Sequence, residues 1–158
     1  MPFSRRVVPV IAVAALLMAG CSDQDAAGQS SATPVSFDFG RPAESRDADR
    51  VIDIKASDDF RFAPQTVDVK SGEVVTFTVD HVGNLPHEFT LGPKDLQLKH
   101  DKEMVEMGDM AMGDDPNASS IAPGETRSLT WEFTESGSRL YGCHTPGHYS
   151  AGMVSELD

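Results

Sequence analysis

The chain has 158 residues and a formal net charge of −12 at pH 7. This acidity repels polyanions, so nucleic acid and anionic lipid surfaces are disfavoured as partners.

The first twenty residues have the pattern of an export signal. Arg5 and Arg6 give a positive start, and residues 7–17 form an apolar segment too short to span a membrane comfortably. Residues 17–21, Leu-Met-Ala-Gly-Cys, resemble a bacterial lipoprotein cleavage site. We therefore expect residues 1–20 to be a lipoprotein signal peptide and Cys21 to carry the lipid of an exported, periplasmic, membrane-anchored protein. An ordinary secretory signal, with Cys21 incidental, is the alternative.

Residues 21–48 are predicted to be a disordered tether, and residues 49–158 one domain. The tether is rich in Ser, Asp, Gln, Ala, Gly, Thr and Pro. Such a composition buries too little apolar surface to offset the entropy lost on ordering. The remaining residues suffice for one domain with one core.

Alternating apolar residues predict half-buried strands at residues 76–79 and 128–133. We assign their large apolar side chains to the core rather than to a functional site: Phe77, Val79, Leu129, Trp131 and Phe133.

A long insertion lies between residues 89–92 and Ile121. Its first part, Lys94 to Met107, has apolar residues at helical spacing interleaved with Glu and Lys, whereas residues 108–120 have the composition of a loop.

The C-terminal region carries three metal-ligand types at equal intervals, namely Cys143, His148 and Met153. A thiolate with two imidazoles and a weak axial thioether is the ligand set of a blue-copper site. His87 is the candidate for the second imidazole, provided that the fold brings its segment beside the loop.

The cysteine count supports a metal at Cys143. If lipid modifies Cys21, then Cys143 has no disulfide partner in an oxidising compartment. A buried inert cysteine is the alternative for a lone thiol, but two histidines and a methionine in register favour copper.

Residues 49–158 resemble a cupredoxin of the plastocyanin and azurin class. Residues 60–73 look like that family's first strands, residues 140–143 like the strand that delivers the cysteine, and residues 152–157 like the strand that leaves with the methionine. The resemblance implies an all-β, Greek-key sandwich or barrel with a helix-and-loop insertion. It also implies one type 1 copper bound by His87, Cys143, His148 and Met153.

Two residues depart from the common pattern of that family. Glu88 follows the first histidine, where Asn or Ser is frequent, and His144 follows the cysteine. A carboxylate near a thiolate is repelled, so we expect Glu88 to face solvent or a cationic partner. For His144 we expect a surface position, with tuning of the site as the alternative.

The insertion also carries a cluster of soft ligands. Thioethers favour Cu(I), but methionine is also a common filler of irregular apolar gaps. An apolar cover over the strands and an auxiliary Cu(I) site are both open interpretations of the set His100, Met104, Met107, Met110 and Met112. We favour the cover. The insertion resembles that of exported copper-tolerance cupredoxins, which supports the metal interpretation without deciding between the two.

The leading functional hypothesis is an exported carrier of single electrons, not an enzyme, with a redox protein of unknown identity as partner. Periplasmic copper sequestration, with a second Cu(I) on the insertion, is the alternative. Catalysis is disfavoured because copper enzymes related to this family need additional domains or further copper ligands.

Overall fold

The computed structural model describes residues 35–108, 115–134 and 138–158. These residues form strands, one 3-10 turn and one α-helix. In chain order they are β1 Gly40–Pro42, the 3-10 turn Ser45–Asp47, β2 Arg50–Ser57, β3 Arg61–Ala63, β4 Thr66–Val67, β5 Val74–His81, β6 His87–Gly92, α1 Lys94–Met107, β7 Ala118–Ile121, β8 Thr126–Phe133, β9 Arg139–Gly142 and β10 Val154–Leu157.

The strands form two five-stranded sheets, one ordered β1-β8-β5-β2-β3 and the other β4-β10-β9-β6-β7. In the first sheet β5 is central, parallel to β2 and antiparallel to β8. Its sequence, Val-Val-Thr-Phe-Thr-Val, is rich in the β-branched residues that pack well on a pleated surface.

Aromatic side chains join the two sheets. Phe77 of the first sheet contacts Phe89 of the second, with ring centroids 5.5 Å apart, and Phe89 contacts Tyr141 at 5.4 Å. Trp131 and Phe133 are fully buried in the same core. The predicted all-β sandwich is confirmed, and so is the helix in the insertion.

The second sheet brings the predicted copper ligands to one end. His87 begins β6, Cys143 directly follows β9, and Met153 directly precedes β10. Because β9 is antiparallel to both β6 and β10, the start of these strands and the end of β9 meet at the same edge.

The structure corrects the predicted extent of the tether. Residues 40–42 pair with β8, and Phe39 is buried, stacked on Trp131 with ring centroids 5.1 Å apart. The segment is mostly polar, but it contains two phenylalanines, Phe37 and Phe39, whose rings pack on Trp131. The compact unit therefore begins before residue 49. The signal peptide, Cys21 and the start of the predicted tether lie outside the described residues.

A second correction concerns the insertion. The loop predicted for residues 108–120 ends early, because Ala118–Ile121 forms β7 at the edge of the second sheet, antiparallel to β6. Its small polar residues have weak strand propensity, so pairing with β6 decides its conformation. In the part of the chain that the structure describes, no helix has the length and apolar character needed to cross a membrane.

Candidate metal centre

The loop between β9 and β10 is held by its own backbone. The N–H of His148 donates to the carbonyl of Thr145 at 2.9 Å, and that of Met153 donates to the carbonyl of His148 at 3.0 Å. The N–H of Cys143 donates to the carbonyl of Met153, also at 3.0 Å. Gly147 has a φ of 89°, a left-handed conformation that glycine adopts without strain. The loop thus folds Cys143, His148 and Met153 back towards one point.

His87 reaches the same point from β6. Its Nδ1 lies 3.2 Å from Nδ1 of His148 and 3.8 Å from Sγ of Cys143, while Nδ1 of His148 lies 3.4 Å from that sulfur. Metal bonds of the lengths known for zinc, about 2.0–2.1 Å to imidazole and about 2.3 Å to thiolate, separate three ligand atoms in a plane by roughly 3.5–3.8 Å. The three side chains fit one ion with shifts of a few tenths of an ångström.

The cysteine sulfur is buried and accepts a hydrogen bond from the backbone. Burial raises the pKa of the Cys143 thiol, whereas hydrogen bonds from Glu88 and Thr145 lower it. The backbone N–H of Glu88 donates to Sγ at 3.3 Å. A buried thiolate needs a cation nearby, and a bound metal deprotonates its thiol ligand outright.

Both histidines favour the neutral form that binds metal. Burial is the main cause that lowers the pKa of His87, to about 4, and the neighbouring His148 and His81 lower it further. Burial also lowers the pKa of His148. The imidazole lone pairs are therefore available near pH 7.

The thioether of Met153 belongs to the same buried region. Met153 is fully buried in the core cluster that also contains Cys143, and its backbone bonds both Cys143 and His148. This placement is compatible with the predicted axial role, which stays a prediction.

Glu88 does not face solvent. It is 2% exposed, and its carboxylate lies 3.1 Å from Nε2 of His100 on α1. The hydrogen bond with Glu88 is the main cause that raises the pKa of His100. The partner of Glu88 is thus a histidine of the insertion, where the sequence predicted solvent or a cationic partner.

His144 is not on the surface. It is fully buried, its Nε2 lies 2.5 Å from Oε1 of Gln97 on α1, and its ring stacks on Tyr149 with centroids 4.7 Å apart. Packing of α1 over the loop covers it. Sequence reasoning also missed Gln97, whose polar side chain at a core-facing helix position was the available signal.

The soft ligands of the insertion are not gathered into one described site. His100 is engaged with Glu88, Met104 is 1% exposed within the protein, and Met107 is 49% exposed at the end of α1. Met110 and Met112 lie outside the described residues. The cover interpretation suits Met104, whereas Met107 is accessible.

Comparisons with known proteins also indicate a copper-binding protein. The family model for copper binding proteins of the plastocyanin/azurin family matches residues 49–158. The chain is 33% identical to the copper-resistant cuproprotein CopI of Pseudomonas aeruginosa, over 98% of this chain and 97% of that protein. It is 39% identical to CopI of Rubrivivax gelatinosus, over 75% of this chain and 72% of that protein. Among solved structures, auracyanin B has a TM-score of 0.63 at 22% identity, covering 75% of this chain and 94% of auracyanin B, which shows the fold.

Proposed function

Because the chain belongs to the plastocyanin/azurin family of copper-binding proteins, we propose that it is an exported copper-tolerance protein. One copper is bound by His87, Cys143 and His148, with Met153 as the weak axial ligand. The buried cluster of one sulfur and two imidazole nitrogens carries this proposal. The relatives named as copper-resistant cuproproteins support it, because one of them matches nearly the whole chain.

The chain's own residues prepare the site before metal arrives. Bound copper would supply one-electron redox chemistry between Cu(II) and Cu(I). A trigonal set of one thiolate and two imidazoles suits both oxidation states. The hydroxyl of Thr145 donates to the carbonyl of Pro86 at 3.3 Å and so ties the loop of Cys143 to the segment before His87. Since the three ligand atoms already lie 3.2–3.8 Å from one another, they need little movement to bind the ion.

Transfer of single electrons is the second candidate function, and the surface beside His148 favours it. His148 is 8% exposed. Leu85, Pro86 and Pro146 are exposed on the two segments that carry the histidines. An exposed apolar rim around a nearly buried ligand suits a weak, transient contact with a redox protein.

A copper count separates the two functions. If the insertion handles copper, the wild-type protein is expected to bind a second ion as Cu(I) but not as Cu(II), since thioethers favour the softer ion. Leucine at Met104, Met107, Met110 and Met112 should then remove that ion and weaken copper tolerance of a strain that depends on this protein. The measurement is anaerobic competition with a Cu(I) chelator, together with growth in copper.

Single variants provide the controls. Met104→Leu nearly conserves volume in a buried position and should cost little, whereas Met107→Leu removes an accessible thioether. A wild-type protein that binds one Cu(I) per chain would refute the auxiliary site. It would leave electron transfer as the better proposal.

The lipid anchor at Cys21 is proposed on sequence alone. A protein carrying more than one acyl chain binds membranes stably. Mass spectrometry of the mature N-terminus is expected to find lipid on residue 21. An unmodified start downstream of Cys21, with all of the protein in the soluble periplasmic fraction, would contradict it.

A further inference from the structure

A second group of polar side chains lies behind His87, on the side away from Cys143. The Nε2 of His87 is buried and has no hydrogen-bond partner among the described residues. The Oδ1 atom of Asp58 lies 3.5 Å from it, at the outer limit of a hydrogen bond. The ring of His81 lies 4.8 Å from that of His87.

Asp58, His81 and His87 have ligand atoms close enough to hold a metal ion, but His81 is already committed. Its Nδ1 accepts the backbone N–H of Gly83 at 3.0 Å, so its proton resides on Nε2, which lies against the carbonyl of Leu85. Neither nitrogen of His81 offers a free lone pair. A hydrogen-bonding role for Asp58 fits these contacts better than a second ion.

The carboxylate of Asp58 is held in place by the segment that leads to His87. It accepts the N–H of Asn84 at 2.7 Å and that of Leu85 at 3.1 Å. These hydrogen bonds stabilise its charged form. Gly83 allows the close approach, because a Cβ there would lie 2.0 Å from Oδ1 of Asp58. Phe60, which is two residues after Asp58 in the chain, packs its ring on His148, with centroids 4.6 Å apart.

We infer that Asp58 is a positioning residue that accepts the Nε2 proton of His87 and thereby directs its Nδ1 lone pair at the copper. A metal-bound histidine commonly donates its other N–H to a carboxylate or carbonyl, which fixes the tautomer and makes the ligand more basic. The negative charge of Asp58 also favours Cu(II) over Cu(I). This inference rests on the copper site proposed above.

Asp58→Asn tests the inference, with Asp59→Asn as the matched control. Asp59 is the exposed neighbour, so both variants remove one charge at nearly the same place. In the copper-loaded full chain, Asp58→Asn is expected to lower Cu(II) affinity by about 10–100-fold and to make the reduction potential more positive. Asp59→Asn should change either quantity far less.

Pulsed EPR of the remote nitrogen of the copper-bound histidine reports the contact directly. Its quadrupole coupling should change in Asp58→Asn and stay unchanged in Asp59→Asn. Gly83→Ala is a second variant, because it displaces the carboxylate without removing its charge and should alter the same signal.

Several outcomes would overturn the inference. Equal changes in Asp58→Asn and Asp59→Asn would mean that only the long-range charge matters. An unchanged remote-nitrogen signal in both Asp58→Asn and Gly83→Ala would mean that the contact is absent. A second ion in the wild-type protein that Asp58→Asn releases would assign Asp58 to a metal site instead. By contrast, a wild-type protein without a type 1 spectrum would refute the proposed copper site itself.

Discussion

Replacing Cys143 with serine is expected to abolish the intense visible absorption of the Cu(II) protein. That intensity arises from charge transfer in a short covalent bond between copper and a thiolate, and serine has no sulfur. In the structure, Sγ of Cys143 is the sulfur that faces the Nδ1 atoms of both histidines. Absorption spectroscopy and EPR of copper-loaded wild-type and variant proteins measure the effect.

Met153→Leu is the control for this experiment. An axial thioether is the weakest ligand of such a site, so this variant should keep both the copper and the colour, with a more positive reduction potential. Leucine also nearly conserves the volume of this buried side chain. A weak spectrum of ordinary type 2 copper in the wild-type protein would refute the assignment of Cys143, and loss of copper in Met153→Leu would refute the axial role.

The second large effect is expected in the helix of the insertion, at Gln97. Its amide donates to the carbonyls of Thr90 at 2.8 Å and Leu140 at 3.1 Å, and its Oε1 accepts the proton of His144. Gln97→Leu is similar in size but removes all of these hydrogen bonds, two of which are buried. Loss of a partner by a buried polar group costs about 1–3 kcal/mol, so the free energy of unfolding should fall by roughly 3 kcal/mol. Denaturant unfolding of the metal-free protein measures it.

Leu98→Gln is the reverse exchange at the neighbouring, half-exposed position. A surface substitution of this kind usually changes stability by less than about 0.5 kcal/mol. If Gln97→Leu were no more destabilising than Leu98→Gln, the hydrogen bonds that join α1 to β6, β9 and His144 would not contribute to stability.

The helix gives the insertion a physical connection to the proposed copper ligands. Glu88 and His144 directly follow the proposed ligands His87 and Cys143, and both contact side chains of α1. The backbone N–H of Glu88 also donates to Sγ of Cys143. Two short series of contacts therefore connect α1 to the proposed copper ligands.

The amino-acid pattern alone was sufficient for the fold class, for α1 and for copper as the cofactor. Two local patterns predicted elements that the structure contains. Residues 128–133 alternate with period two and lie in β8, and Lys94–Met107 has helical spacing and forms α1. The cofactor follows from ligand chemistry, because Cys143, His148 and Met153 occupy one loop and its donor types suit copper.

Only the tertiary structure decided the surroundings of the site. Composition placed Phe39 in a tether, but in the structure its ring stacks on Trp131 and is buried. His144 was expected at the surface, and α1 buried it. Asp58 gave no functional signal in sequence, because its partner His87 is distant along the chain. Gln97 gave only a polar residue at a core-facing helix position, and its partner His144 is distant as well. Ligand types and local periodicity are encoded within a few residues, whereas burial and hydrogen-bond partners depend on which surfaces the folded sheets bring together.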